Sequence, residues 1–472
     1  MRKGPPIEHG YKNRQRFSFA SCFAFVFLFC VSKIPLHSLS ANEIPKDIII
    51  RVGLTRNFAG VNCLTLTSAK EFRIVDSSGE CPASPVKALS KVETSLKDGL
   101  ITLAIDSNQI GTFKGPIRFK PEDSDQIFEI IQPAKVRNKY FRGTLIIYGG
   151  SELSVINEID LEHYVYGVLP SEVPRGFSPE SQKAFAIAAR TYALRCMKRH
   201  FDAGFNLCDS THCQTYCGAS REAEWVRQAV DETKGLVISF DDKPIFATYM
   251  ADCGGATMNS EDSGDGVVSF PYLRSVVDNP SGIPTPIKPP SADENNGVNN
   301  VSEAEPPTEN ITPKDYCSKS PHHLWTITYT IDELANKLSA WEGKIGKLKS
   351  IEFAEFDLSG HVKAVLLKGD KSECVIHGKE LRNALGHDKL KSTRSTLTIS
   401  PEGKYIITGS GYGHGLGACM YGADQLGRLG KTAEEILKHY YTGVEIKPIW
   451  ECKAWLEELP SLIIKDDKPA EN

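Results

Sequence analysis

Ser178-Pro-Glu-Ser-Gln-Lys-Ala-Phe-Ala-Ile-Ala-Ala-Arg-Thr-Tyr-Ala-Leu-Arg-Cys196 is the stretch that decides how this chain folds. Ser178 is a good N-cap, Pro179 suits the first helical position, and Glu180 complements the helix dipole. Phe185, Ala189, Tyr192 and Cys196 recur on one face, while Ile187 and Leu194 fall on another. Apolar residues on more than one face predict a helix that is largely buried. Arg190 interrupts this pattern, aligned with Lys183, Ile187 and Leu194. A buried guanidinium is costly unless paired, so Arg190 either orients a site carboxylate or substrate oxygens, or forms a structural salt bridge.

Upstream, Leu161–Leu169 reads as a short helix or turn, followed by the loop Pro170-Ser-Glu-Val-Pro-Arg-Gly-Phe177. Prolines on either side stiffen the segment that carries Glu172. A carboxyl fixed in place, with Leu169, Val173 and Phe177 to raise its pKa, is what a general acid needs; the plain alternative is an exposed loop glutamate. Residues 41–155 form a β-rich region. Ile48–Leu54, Ile101–Ile105 and Tyr140–Tyr148 are β-branched runs, and the Gly149-Gly150 turn into Leu153–Ile156 predicts a hairpin.

Downstream, Cys208-Asp-Ser-Thr-His-Cys-Gln-Thr-Tyr-Cys217 holds three thiols and an imidazole, with His200 eight residues before it. The cluster suits zinc, although its spacing is not that of a zinc finger, and it equally suits one or two disulfides. Residues 281–314 are rich in Pro, Asn, Ser and Glu, the composition of a disordered insertion. Strands follow at Leu324–Thr330, Ile351–Phe356, Val362–Leu367 and Tyr405–Thr408, with a helix over Ile331–Leu338. In Gly409-Ser-Gly-Tyr-Gly-His-Gly-Leu-Gly417 the alternating glycines are too costly for a plain strand and predict a loop that lets backbone approach a ligand around His414. No βαβ context surrounds it, which argues against nucleotide binding. Helices are expected near 417–428 and 433–441, the second with a Thr432/Glu435 capping box and Gly443 at its stop.

The 472 residues are 40% hydrophobic and 24% charged, as in a soluble globular protein, and the net charge of −4 argues against a nucleic-acid partner. Five basic residues from Arg2 to Arg16 precede the apolar run Phe17–Val31, the pattern of a secretory signal cut before Ala41 or of a retained anchor. Either places the body outside the cytoplasm. Beyond that run stand eleven cysteines, an odd number, with Cys63 and Cys81 a candidate local pair. The expected organisation is a signal or anchor over 1–40, the β-rich region to 155, a mixed domain over 156–450 interrupted by the insertion, and a tail from 451.

Tyr164-Val-Tyr-Gly-Val-Leu-Pro-Ser-Glu-Val-Pro174, Ala184–Ala193, Cys208 through Gly218, Pro244–Tyr249, Gly254–Thr257, Pro271–Asp278, Gly413–Gly417 and Ile436–Gly443 occur in one order. Together they resemble the SpoIID/LytB family, over about 155–280 and 320–445. The resemblance implies an α+β fold and lytic transglycosylation of peptidoglycan strands already stripped of stem peptides by an amidase. The family's catalytic glutamate falls on Glu172. Some members bind zinc through a His and two Cys, for which His200, Cys208 and Cys213 are the nearest counterparts, with His212 or Cys217 as substitutes; the metal would be structural and no cofactor is required for the chemistry. Arg190, Gln214, Tyr216 and His414 are the candidates to hold sugar and N-acetyl groups. Expected partners are glycan strands, a cell-wall amidase and divisome or envelope proteins. One departure stands out: many members follow the glycine loop with Met-Ser-Gln, and this chain has Ala418-Cys-Met420.

A single carboxyl suffices for a transglycosylase, because the muramyl C6 hydroxyl of the substrate closes onto the anomeric carbon, whereas common hydrolases need two carboxylates. Two rivals remain. One is a non-catalytic glycan-binding module that stimulates an amidase; the other is a Cys–His hydrolase using Cys213 or Cys253.

Overall fold

A computed structural model describes residues 48–464, except 82, 265–268, 284 and 286–313. The apolar run Phe17–Val31, and most of the insertion expected over 281–314, lie outside the described residues. Among the described residues no helix is long and apolar enough to cross a membrane.

The fold is α+β. A seven-stranded sheet runs in the order Leu207–Cys208, Ile49–Gly53, Ser154–Asp160, Thr144–Tyr148, Ile117–Pro121, Phe72–Asp76 and Gly79–Glu80. A six-stranded sheet is built from Tyr140–Arg142, Ile127–Gln132, Cys63–Ser68, Val92–Lys97, Leu100–Ile105 and Asn108–Phe113. Alternating side chains of both sheets enter one core, where Phe72 of the first meets Phe128 of the second edge-on at 5.2 Å. The expected hairpin forms, pairing Ile146 with Ile156. That core continues past residue 155 without a break into the helices. It also takes in Trp455, Leu459 and Leu462, so the stretch from 451 to 464, expected as a tail, packs as a short helix over Lys453–Glu458. A second core spans Trp325–Ile407 and is closed by two three-stranded sheets, Leu324–Tyr329/Tyr405–Ser410/Ser395–Ile399 and Leu348–Phe356/Val362–Gly369/Glu373–His377.

The long helix runs Pro179–Arg195, with the Ser178 side chain accepting from the Ser181 N–H. Thirteen of its seventeen residues are buried, from Ser181 to Leu194. Packed against it is the helix Leu161–Glu172, capped by Asp160 accepting from the His163 N–H. This helix corrects the sequence reading, which ended it at Leu169. Pro170 removes one N–H, the partner of the Tyr166 carbonyl, and sets its ring against that carbonyl, a cost carried here in the last turn of a helix packed against Pro179–Arg195 and Glu224–Asp231. The proline rule holds instead at Val173, which is extended before Pro174 and ends the helix. Gly167 stands in this helix because a Cβ there would lie 2.4 Å from the Tyr216 ring.

All eleven cysteines of the described residues are free thiols. The local Cys63–Cys81 pair does not form: Cys63 is exposed on the six-stranded sheet, while Cys81 is buried and its N–H bonds to the Ile74 carbonyl of the other.

Candidate functional site

A cleft of about 770 Å³ opens between the two cores. One wall carries Glu172, His212, Cys213 and Gln214; the floor is Thr248–Ala251 with His414; the opposite wall brings Lys363, His377 and Arg382. Among the described lining residues only Glu172 and Asp262 have carboxyl groups, and Asp262 is tied to Lys363 at 3.1 Å.

Glu172 ends its helix and turns its half-buried side chain into this cleft. Its Oε1 accepts the Thr215 backbone N–H at 2.7 Å. Burial pushes the carboxyl above its ordinary value, and the Thr215 contacts pull it partly back. One oxygen is thus fixed by the Thr215 N–H. Thr215 escaped the sequence reading because a backbone N–H leaves no signature in a side chain.

His414 lies on the same cleft, exposed, and is held from both ring nitrogens. Nδ1 accepts the Leu416 N–H at 3.1 Å, which puts the proton on Nε2, 3.0 Å from the Tyr249 carbonyl. The glycines around it serve a purpose other than the one expected. Gly411, Gly413, Gly415 and Gly417 all take positive φ, and the close approach they allow is to this chain itself. A Cβ on Gly417 would stand 1.9 Å from the Thr248 carbonyl oxygen, and one on Gly413 would stand 2.4 Å from Met250 Cβ.

Three other expectations are corrected. Arg190 is fully buried away from the cleft; its Nε and Nη2 grip Glu162 at 2.9 and 2.6 Å, and Nη1 reaches the Leu236 carbonyl. It is the structural salt bridge. Tyr216 is buried too, stacked on Tyr164 at 5.3 Å with its hydroxyl donating to Asn157. Gln214 does line the cleft, but its amide is occupied: Oε1 accepts from Tyr164, and Nε2 donates to the Ala189 carbonyl and the Tyr249 hydroxyl.

His200, Cys208, His212 and Cys213 bring one donor atom each to within 4.8 Å of the others. The separations are 3.3 Å for Cys213 Sγ to His200 Nε2, 3.6 Å for Cys213 Sγ to His212 Nδ1, and 3.8 Å for Cys208 Sγ to His212 Nδ1. A tetrahedron with bonds of about 2.0–2.3 Å has edges of about 3.3–3.8 Å, so the donor set fits zinc in both chemistry and spacing. Cys217 points elsewhere, donating to the Gly167 carbonyl. Arg199 braces the loop by donating to the His212 carbonyl at 2.7 Å. The loop matters to the site because Thr215, which holds Glu172, follows Cys213 by two residues.

Residues 149–240, which include Glu172, the long helix and the Cys/His loop, match the family model described as Stage II sporulation protein (SpoIID). Residues 266–417, which carry the opposite wall of the cleft, match one described as Domain of unknown function (DUF8618). An uncharacterised protein of Brachyspira hyodysenteriae is 29% identical over 399 residues, covering 82% of this chain and 94% of that one. Stage II sporulation protein D of Bacillus amyloliquefaciens is 30% identical over 316 residues, 64% of this chain and 77% of its own. The amidase enhancer of Bacillus subtilis is 28% identical over 388 residues, 76% of this chain and 52% of its own. With 30% identity sustained over most of a sporulation protein's length, the chain belongs to the SpoIID/LytB family.

Proposed function

We propose that this protein is a lytic transglycosylase acting on peptide-stripped peptidoglycan strands in the cell envelope, with Glu172 as its acid and base. The observation that carries this reading is a carboxyl, lifted in pKa, turned into a cleft of about 770 Å³ whose only other carboxyl among the described lining residues, Asp262, is tied to Lys363. Glu172 protonates the glycosidic oxygen as the C1–O bond breaks. As carboxylate it then takes the proton of the muramyl C6 hydroxyl, whose oxygen closes onto C1 to give a 1,6-anhydro end. The Thr215 N–H stabilises the ionised form reached between the two steps. The opposite wall, with Lys363, His377 and Arg382, faces the same cleft and is positioned to hold sugar and N-acetyl oxygens, whereas both ring nitrogens of His414 are already bonded within the chain.

His200, Cys208, His212 and Cys213 would hold a zinc ion, which supplies structural closure of the 208–213 loop. Through that loop the four residues position Thr215, and through it Glu172.

The amidase-stimulating module is the second reading, favoured by the amidase enhancer among the relatives and by Ala418-Cys-Met420 after the glycine loop. The thiol hydrolase is disfavoured: Cys253 is fully buried, with its thiol pushed up by desolvation, and Cys213, although 3.3 Å from His200 Nε2 on the cleft, has its thiol pushed up by the Cys208 hydrogen bond and by burial. The test is Glu172→Gln incubated with amidase-treated sacculi. Loss of turnover with retained binding to denuded strands is expected; undiminished turnover would remove Glu172 from the mechanism.

A further inference from the structure

A second group of ligating side chains lies outside the cleft. Asp252, Cys253, Cys317 and Cys419 are all buried, and one donor atom from each falls within 4.8 Å of the others. They come from three separate parts of the chain. Cys419 ends the short strand Ala418–Cys419, which pairs in parallel with Tyr249–Met250 just before Asp252 and Cys253. Cys317 sits on the turn Tyr316–Lys319, which is tied to the core by the Tyr316 N–H on the Asp278 carbonyl. Cys253 Sγ is 3.7 Å from Cys317 Sγ, and Cys419 Sγ is 3.2 Å from the Cys253 amide nitrogen. With Zn–S bonds of about 2.3 Å, a tetrahedral edge is about 3.8 Å.

The polar groups around these thiols point to an ion that completes the cluster. Asp252 is 1% exposed; its Oδ1 accepts the Gly254 N–H and lies 3.7 Å from Nδ1 of His323, which is itself 3.7 Å from Cys317 Sγ, but its Oδ2 is buried with no hydrogen-bond partner. A buried orphan carboxylate oxygen is costly unless it ligates an ion. Arg394, also buried, donates to the carbonyls of Ser359, Gly254 and Thr285 and to the Ser410 hydroxyl. Among the described residues it has no carboxylate at ion-pair distance; Asp315 and Asp357 act on it from further off, and Cys253 and Cys317 would do so as thiolates. A Cys253–Cys317 disulfide would account for two sulfurs and leave Asp252 Oδ2 without a partner and the Cys419 sulfur, which accepts the Cys253 and Gly422 N–H groups, without a role.

We propose that Cys253, Cys317, Cys419 and Asp252 form a second, structural zinc site that clamps the chain emerging from the 286–313 segment onto the core. Each thiol releases its proton to solvent as its sulfur binds, and no electron is transferred. Three thiolates and a carboxylate on a divalent ion leave a net charge of −2, which the Arg394 guanidinium partly balances. Cys419 stands in the segment where this chain departs from the Met-Ser-Gln pattern, so the departure supplies a ligand.

The site stands independently of the transglycosylase reading and is tested by counting zinc. The full chain, purified without chelator, is expected to hold two zinc per chain by elemental mass spectrometry. Cys317→Ser and Cys419→Ser should each lose one equivalent, whereas His200→Ala/Cys213→Ala should lose the other and keep this one. A wild-type count of one that Cys317→Ser leaves unchanged would overturn the proposal, and so would a Cys253–Cys317 disulfide in non-reducing peptide maps. The peptide map needs no variant, so a misfolded mutant cannot shield the idea.

Discussion

Replacing Arg190 by Met tests whether that guanidinium serves the fold or the substrate. In the wild type it is 0% exposed, bonded to Glu162 through two nitrogens and to the Leu236 carbonyl through a third. Met fills much of the volume but strands the Glu162 carboxylate, whose side chain is only 18% exposed. Breaking one side of a buried pair costs about 3–5 kcal/mol. With a urea slope of about 3 kcal/mol/M, the unfolding midpoint should drop by roughly 1–1.7 M at constant slope. Arg190→Met/Glu162→Met removes both charges and should recover most of that loss. The folded fraction of Arg190→Met should bind denuded glycan with unchanged affinity, since the residue does not reach the cleft. An unmoved midpoint together with lost glycan binding would show that Arg190 is a site residue and that its pairing has been misread.

Other outcomes follow from the same geometry. Because the Glu172 carboxyl sits above its ordinary pKa, turnover should fall as pH rises through that value; Thr215→Pro, which removes the stabilising N–H, should move this basic limb upward in a pH–rate profile. His361 is buried beside Arg394 and held down to about 3, below its unfolded value of 6.5. The unfolded chain therefore binds the extra proton between those values, and stability is lost as pH falls through that window, by about 2 kcal/mol at pH 5. His361→Gln should flatten that slope in urea titrations at pH 7 and 5. Gly417→Ala sets a methyl 1.9 Å from the Thr248 carbonyl at φ +75 and should cost about 1–3 kcal/mol or more, read as a lower melting temperature. On the proposed His200/Cys208/His212/Cys213 zinc site, a chelator should lower turnover by releasing the 208–213 loop, and added zinc should restore it.

Helix caps were the most legible features of the sequence. Ser178-Pro179 and Thr432 with Glu435 start helices where local chemistry says they should, because a cap is satisfied within three residues. The helix that ends in Glu172 was half legible: Leu161–Leu169 read as a short helix or turn, but Pro170 signals a break that tertiary packing overrides. Arg190 looked equally like a ligand group and a salt bridge because its partner, Glu162, is 28 residues away and no local pattern pairs them. The alternating glycines correctly announced a close approach, but sequence does not say that the approaching group is Thr248 and Met250 of the same chain. The opposite wall of the cleft, with His377 and Arg382, comes from a second core whose position depends on tertiary packing alone. The thiols of Cys253, Cys317 and Cys419 meet across gaps of 64 and 102 residues, and only the fold makes them neighbours.

The most direct test of the central claim is the mass of the glycan ends that the wild-type protein makes from amidase-treated sacculi. A single acid–base carboxyl working with the substrate's own C6 hydroxyl predicts 1,6-anhydromuramyl ends, each lighter by one water than a reducing end. Reducing ends alone would mean that water is the nucleophile and that a second catalytic group stands beside Glu172, contrary to this account.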